Sequence, residues 1–207
     1  MPADEGSLAH RRHVPFRVIE LDSLTDRLDL DKIFERTAPV HIDLGCGDGS
    51  FLCALAQRTP DKNFLGIERL LNRIRSSARK AAALDNVRLL RMESFYAVRY
   101  LLPPKSVERF YLLFPDPWPK RRHHRRRIVT PEFLDSIHAT LRKSGSIYIA
   151  TDDVDYFGKI KEIAESNSGF AIGDVDVDLP QSKFGRIFRE KGAPIQLLVL
   201  RKVSPVK

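Results

Sequence analysis

Residues 40–49 read VHIDLGCGDG, and this stretch decides the fold. Its first five residues form a short apolar run that is typical of a buried strand. Three glycines follow within five residues, and glycine lets a chain turn sharply and bring its backbone N–H groups close to a ligand. Residues 50–58 have the apolar spacing of a helix. A strand, a glycine-rich turn and a helix in this order predict a sheet with crossover helices and a ligand site at the turn.

The alternation of strands and helices continues towards the C-terminus, which predicts an α/β fold with helices on both faces of a mostly parallel sheet. Seven strands are expected, at residues 40–44, 63–67, 87–91, 107–114, 146–150, 170–177 and 195–201. No helical pattern separates the last two strands, so one of them is expected to be antiparallel. The weakly patterned residues 16–37 predict one or two short helices, and residues 143–145 predict a turn. We expect residues 1–15 to be a flexible basic arm and residues 16–207 to form a single domain.

The composition narrows the class of protein. A formal net charge of +8 over 207 residues favours an acidic partner, of which nucleic acid is the commonest. The two cysteines, Cys46 and Cys53, are too few for a disulfide framework and fit a reducing compartment. Neither cysteine belongs to a metal-ligand pattern, so no metal is expected. The chain has no apolar run that could span a membrane and no secretory leader at its start, which predicts a cytoplasmic protein.

Carboxylates surround the glycine turn. Asp43 precedes it, Asp48 lies inside it, and Glu68 ends the next predicted strand, 23 residues after Gly45. The G-x-G-x-G spacing is one residue tighter than the dinucleotide fingerprint, and carboxylates would repel a pyrophosphate, so a nicotinamide oxidoreductase is disfavoured. The carboxylates around the turn suit the ammonium and sulfonium groups of S-adenosylmethionine. Glu68 is placed to accept hydrogen bonds from the ribose hydroxyls of this cofactor. The residues predicted to bind this cofactor at the strand ends are Asp43, Gly45, Gly47, Gly49, Glu68 and, on the adenine side, Glu93. Asp48 alternatively helps to start the following helix.

A second motif, LLFPDPWP at residues 112–119, follows the fourth predicted strand. Three prolines in five residues fix φ and remove N–H donors, so the segment can neither continue the strand nor start a helix. It predicts a rigid loop that holds a carboxylate, Asp116, beside a large aromatic side chain, Trp118. A carboxylate can accept hydrogen bonds from the edge of guanine or adenine, and an aromatic face can stack on a base. Trp118 fits a stacking platform and a packing anchor equally well.

The eight residues from Lys120 to Arg127 include six lysines and arginines. This run, called the basic strip below, directly follows the proline motif. Such a density of charge beside a predicted active-site loop is interpreted as a phosphate-binding surface. The two histidines inside the run lack the spacing of a metal site and are interpreted as phosphate or sugar contacts.

On residues 38–201, the chain closely resembles the bacterial tRNA (guanine-N7-)-methyltransferase family, most specifically in the stretch PDPWPKRRHHRRR at 115–127. The resemblance implies a Rossmann-like class I methyltransferase fold and S-adenosylmethionine as the methyl donor. It implies tRNA as the partner, with methylation at N7 of the guanine at position 46 in the variable loop. Monomer and homodimer both remain open.

The resemblance also assigns site residues. Asp43, Glu68 and Glu93 fall at cofactor-binding positions, and Asp116 falls at the position for cofactor contact and catalysis. The proline motif, the basic strip and the resemblance together predict the residues that bind the substrate. These residues are Lys120, Asp152, Ser182, Phe184, Trp118, Arg122, Arg125 and Arg126.

Two positions depart from the family pattern. A Thr-x-Phe/Tyr-Glu element near the end of the family's sequence reads Ser182-Lys183-Phe184-Gly185 here, so the hydroxyl and the ring are kept but the carboxylate is lost. Glu93 replaces the usual aspartate and keeps its chemistry.

Two other functions remain open from the sequence. An amino-methyltransferase carries a related Asp/Asn-Pro-Pro-aromatic element after the same strand and would methylate an exocyclic amine. A non-enzymatic RNA-binding protein on a decayed methyltransferase fold is consistent with Gly185, whereas the intact Asp43, Glu68 and Asp116 favour an enzyme.

Overall fold

The computed structural model describes residues 17–175, 179–180, 185, 192 and 194–203, so the predicted arm at residues 1–15 lies outside the described part. The strands in these ranges are β1 (Val18–Ile19), β2 (Val40–Leu44), β3 (Asn63–Ile67), β4 (Val87–Leu90), β5 (Val107–Leu113), β6 (Leu141–Thr151), β7 (Phe170–Gly173) and β8 (Gln196–Lys202). The α-helices are α1 (Leu30–Phe34), α2 (Ser50–Arg58), α3 (Leu71–Lys80), α4 (Ser94–Tyr96), α5 (Pro131–Thr140) and α6 (Val154–Glu165). A π-helical turn, Ala97–Leu101, extends α4, and a 3-10 helix, Arg121–Arg126, follows the proline motif.

These strands form one sheet in the order β1-β4-β3-β2-β5-β6-β8-β7. Neighbouring strands from β1 to β6 pair in parallel, whereas β8 is antiparallel to both of its neighbours, β6 and β7. The predicted α/β fold with a mostly parallel sheet is therefore confirmed, and the antiparallel strand is the last one in the chain.

Alternate side chains of the central strands pack on opposite faces of the sheet. Ile42 of β2 and Phe110 of β5 belong to a core that also contains buried side chains of α1, α5 and α6. Tyr111, the next residue of β5, belongs to a second core with Phe51 of α2 and Ile74 of α3. This alternation is the period of a strand with two buried faces, and it confirms the prediction of helices on both sides.

The sheet has one strand more than predicted. β1 contains two residues and pairs in parallel with β4, in a region where the sequence had predicted only short helices. Two residues are too few for a recognisable alternation of apolar and polar side chains, so this strand left no pattern to detect. Of the predicted short helices, the five residues of α1 are present.

The predicted turn at residues 143–145 is wrong, because these residues lie inside β6. The register of β6 against β5 shifts between Val107 and Arg109, which pair with Leu141 and Ser146. Ser144 lies inside this irregularity with a φ of 61°. The turn chemistry of Lys143-Ser144-Gly145 therefore produces a bulge rather than a break in the strand.

Gly49 precedes α2 with a φ of +75°, and a Cβ atom at this position would come within 2.9 Å of the Ser77 side chain in α3. Ser77 is buried, and its hydroxyl donates to the Gly47 carbonyl at 2.9 Å. Close packing between the glycine turn and α3 thus depends on the absence of a side chain at Gly49.

Gly49→Ala should lower the free energy of unfolding by about 2–4 kcal/mol, because alanine adds both a strained φ and an overlap with Ser77. Urea unfolding of the variant measures this loss. Gly158→Ala in α6 is the matched control, since open space surrounds Gly158 and alanine in a helix gains about 0.5–1 kcal/mol. Equal stability of Gly49→Ala and the unmodified protein would contradict the packing described here.

Candidate active site

A cavity of about 780 Å³ opens at the carboxyl edge of the sheet, where the strand order reverses between β2 and β5. In open α/β sheets this switch point is where ligands bind. The ends of five strands, β2 to β6, contribute to its walls. Nine of the residues predicted for the site line this one cavity, namely Asp43, Gly45, Gly47, Glu68, Glu93, Asp116, Trp118, Arg126 and Asp152.

The floor of the cavity carries two buried carboxylates. Asp43 is 3% exposed at the end of β2, and Glu68 is 4% exposed directly after β3, the strand that pairs with β2. Burial, and then the negative charge of Glu68, raise the pKa of Asp43 from 3.8 to about 7. The pair therefore favours a cationic ligand, which would lower the cost of ionising Asp43.

Glu68 already has partners in the protein. One carboxylate oxygen accepts a hydrogen bond from the Leu70 backbone N–H at 2.8 Å, and the other lies 3.7 Å from the Arg73 guanidinium. Arg73 lies in the first turn of α3 and also lines the cavity. Arg73 was not predicted from the sequence, although an arginine-rich helix directly after Glu68 was a signal for such a contact.

The glycine turn exposes bare backbone to the cavity. Gly45 and Gly47 have φ values of +77° and +58°, and no heavy atom would lie within 4 Å of a Cβ at Gly45. Gly49, which was also predicted to bind the cofactor, lies outside the cavity lining and packs on Ser77. The contact with Ser77 explains the glycine at this position by helix packing, and cofactor binding by Gly49 stays a prediction.

Asp48 lines the cavity and connects the turn to the helices. Its carboxylate accepts from the Ser50 backbone N–H at 3.1 Å and pairs with Lys80 of α3 at 2.6 Å. The Lys80 and Ser50 hydrogen bonds outweigh partial burial and lower its pKa. Asp48 thus supports the start of α2, which is the alternative that the sequence left open.

Glu93 lines the cavity as the N-cap of α4. Its two carboxylate oxygens accept from the Phe95 and Tyr96 backbone N–H groups, at 2.9 and 2.7 Å. These bonds orient the carboxylate and leave each oxygen one further lone pair for a ligand donor.

The two cysteines are free and buried. Burial raises the pKa of the Cys53 thiol to about 11 and holds the pKa of the Cys46 thiol well above its usual value, so both are neutral at physiological pH. Cys46 also lines the cavity. The described residues include no cluster of three or more side chains that could hold a metal ion.

The proline motif forms another part of the cavity wall. Phe114 and Trp118, each followed by a proline, adopt positive φ values of 55° and 45°. Such conformations in non-glycine residues cost about 1–3 kcal/mol each and persist only where the surroundings enforce them. Between them lies the exposed carboxylate of Asp116, which lines the cavity together with Asp152 after β6.

Trp118 is half-buried, and its ring packs against the 3-10 helix. The Arg126 guanidinium lies 4.9 Å from the ring centroid, and the His123 ring meets it edge-on at 5.9 Å. These contacts hold the ring at the cavity wall, and they bring Arg126 of the basic strip into the cavity lining.

The basic strip divides into two parts. Lys120, Arg122 and Arg125 are exposed and lie outside the cavity lining, on the surface beside it. Arg127 is only 6% exposed and points inwards to the protein. The interpretation of the whole run as phosphate-binding therefore needs a correction at Arg127, whose charge is already paired with Asp155 at 2.6 Å.

Two predicted substrate residues, Ser182 and Phe184, lie outside the described residues. Gly185, where the family pattern has a carboxylate, is described and is buried.

Comparison with known proteins places this geometry in a family. A family model with the description "Putative methyltransferase" matches residues 37–195. A crystal structure of a 16S rRNA methyltransferase superposes with a TM-score of 0.62 at 20% identity, covering 86% of this chain and 95% of that one. The superposition confirms the predicted methyltransferase fold.

Curated relatives are more similar in sequence. The tRNA (guanine-N(7)-)-methyltransferase of Halorhodospira halophila is 36% identical over 183 residues, which are 84% of this chain and 79% of that protein. The enzyme of the same name from Thermotoga maritima is 34% identical over 182 residues, 86% of this chain. The matched region spans 58% of the length of the Thermotoga protein. The cavity, the fold and these relatives together show that this chain belongs to the tRNA (guanine-N(7)-)-methyltransferase family.

Proposed function

We propose that this protein transfers a methyl group from S-adenosylmethionine to N7 of the guanine at position 46 in the variable loop of tRNA, in the cytoplasm. The observation that carries the proposal is the shared cavity, whose lining includes the buried carboxylates, the bare glycine backbone, the Asp116–Trp118 segment and Arg126 of the basic strip. The curated relatives named tRNA (guanine-N(7)-)-methyltransferase support the choice of acceptor.

The donor set of the cavity fits S-adenosylmethionine. The buried Asp43 would bind a cationic group, and Gly45 and Gly47 present backbone to a ligand without side chains in the way. Glu68 would accept hydrogen bonds from ribose hydroxyls, in exchange for its contact with Arg73 at 3.7 Å. Glu93, oriented by two backbone amides, would lie on the adenine side.

Methyl transfer to guanine N7 requires few catalytic groups from the protein. When bound, S-adenosylmethionine supplies an electrophilic methyl carbon, to which the N7 lone pair of guanine can bond while the sulfur keeps the electrons of the broken bond. Guanine N7 carries no proton, so no general base is needed for the attack. The protein contributes alignment and electrostatics, and Asp116 would hold the base edge and favour the positive charge that develops on the ring.

The tRNA would bind across the cavity mouth. Lys120, Arg122 and Arg125 are exposed beside the cavity, and Arg126 lies at its edge, so these cations would contact phosphates and guide the base inwards. Trp118 offers an aromatic wall for the base, although Arg126 already lies near the ring. Asp152 would complete the base site from the end of β6.

Incubation of the protein with labelled S-adenosylmethionine and tRNA lacking the modification should give 7-methylguanosine. Nucleoside digestion followed by chromatography and mass spectrometry identifies the product. Methylated exocyclic amines would contradict the proposal in favour of an amino-methyltransferase. Tight tRNA binding without cofactor binding or methyl transfer would instead support the decayed, non-enzymatic function.

Asp43→Asn should abolish or strongly weaken S-adenosylmethionine binding, yet stabilise the ligand-free protein. A carboxylate whose pKa is raised to about 7 by burial destabilises the folded state once it ionises. The gain in melting temperature should therefore be largest above pH 7 and shrink as the pH falls towards 4. Thermal unfolding over this pH range and calorimetric titration with the cofactor measure the two effects, and a destabilised variant at pH 8 would contradict this account.

A further inference from the structure

Arg127 differs from the rest of the basic strip in its surroundings. The neighbouring cations Arg125 and Arg126 are exposed, whereas Arg127 is 6% exposed. A buried guanidinium is stable only when its charge is paired and its N–H groups are hydrogen-bonded. Its partners therefore indicate what it does.

Arg127 connects the proline motif to α6. Its Nε donates to the Pro117 carbonyl at 2.7 Å, and its Nη2 donates to the Asp155 carboxylate in α6 at 2.6 Å. The guanidinium also lies 4.7 Å from the ring centroid of Tyr156. The Tyr156 hydroxyl in turn accepts from the Val129 backbone N–H at 3.2 Å, just before α5.

The proline motif needs an anchor from outside. Three of the five residues from Pro115 to Pro119 lack an N–H group, so the loop has few donors with which to fix itself. Both Phe114 and Trp118 are held at positive φ, which the surroundings must enforce. Pro117, whose carbonyl Arg127 holds, lies between Asp116 and Trp118 in the chain.

We propose that Arg127 is a positioning residue, which fixes Asp116 and Trp118 at the cavity wall through the Pro117 carbonyl and does not itself bind phosphate. Its effect on methyl transfer rests on the proposed function, whereas its effect on the loop does not. The planar guanidinium is essential to the arrangement, because two of its nitrogens donate in different directions to a carbonyl and a carboxylate. Lysine keeps the charge but replaces this fork with a single ammonium group.

Trp118 is the sole tryptophan of the chain, so its fluorescence reports the position of the loop without any need for activity. Acrylamide quenching should increase at least about twofold in Arg127→Met, and Arg127→Lys should recover only part of the protection. Asp155→Asn weakens the contact between Arg127 and Asp155 from the exposed side, so the core is left unchanged. This variant should give an intermediate increase in quenching. Lys161→Met, which removes a paired surface cation from α6, is the matched control and should leave quenching unchanged.

Steady-state kinetics with tRNA provide the second readout. Arg127→Met should lower kcat by about 10- to 100-fold, as expected for a misplaced reacting group, with KM for tRNA changed less than about threefold. Arg125→Met should behave differently, raising KM and reducing the slope of log affinity against log salt by up to about 0.9. A salt slope in Arg127→Met that is equal to that of the unmodified protein would support the positioning role.

The proposal would be overturned if Arg127→Met raised KM and reduced the salt slope while Trp118 quenching stayed unchanged, since that pattern marks a phosphate contact. Full recovery of kcat and quenching by Arg127→Lys would also overturn it, because charge alone would then suffice. If the unmodified protein methylates no tRNA, the proposed function fails, but the quenching of Arg127→Met and Asp155→Asn still decides whether Arg127 positions the loop.

Discussion

Asp43 and Glu68 are both buried beside the same cavity, and the chemistry of the site depends on this arrangement. Like charges at the ends of paired strands are unfavourable in an empty site, and they raise the pKa of Asp43 to about 7. The sheet enforces the arrangement, because Ile42 and Leu44 are buried on one face and Asp43 must therefore point to the other. A cationic ligand would relieve this repulsion, which is the physical basis of the proposed binding of the methyl donor at Asp43.

The proline motif holds the Asp116 carboxylate and the Trp118 ring in the lining of the same cavity. Prolines make the segment stiff but deprive it of donors, and the positive φ angles at Phe114 and Trp118 show that it is held under strain. Two arginines of the basic strip contact the proline motif in different ways. Arg126 packs on Trp118 at the cavity edge, and Arg127 bonds to the loop from inside the protein. One run of similar residues thus contains both exposed cations, which are proposed to bind RNA, and a buried arginine that is hydrogen-bonded to the proline motif.

Much of the fold and the site could be predicted from the sequence because their signals are local. The strand, glycine turn and helix at residues 40–58 follow from apolar spacing, and the acidic residues at strand ends follow from the geometry of parallel sheets. Nothing local distinguished Arg127 from Arg126, because its partner Asp155 lies 28 residues further along the chain. Gly49 was assigned to the ligand because its glycine belongs to the turn, yet the neighbour that excludes a side chain is Ser77 of α3. The two residues of β1 were too few to show an alternation.

The central claim is that Asp43 binds the methyl donor in its ionised form. Without the ligand, the Asp43 carboxyl is largely protonated below neutral pH. Calorimetric titration with S-adenosylmethionine in buffers of different ionisation enthalpy measures the protons exchanged on binding. With a pKa of about 7 in the empty protein, binding should release most of one proton at about pH 6, and the release from Asp43 should fall towards zero at about pH 8. Tight binding at about pH 6 without proton release would contradict the account, because Asp43 would then be ionised already or would not contact the ligand.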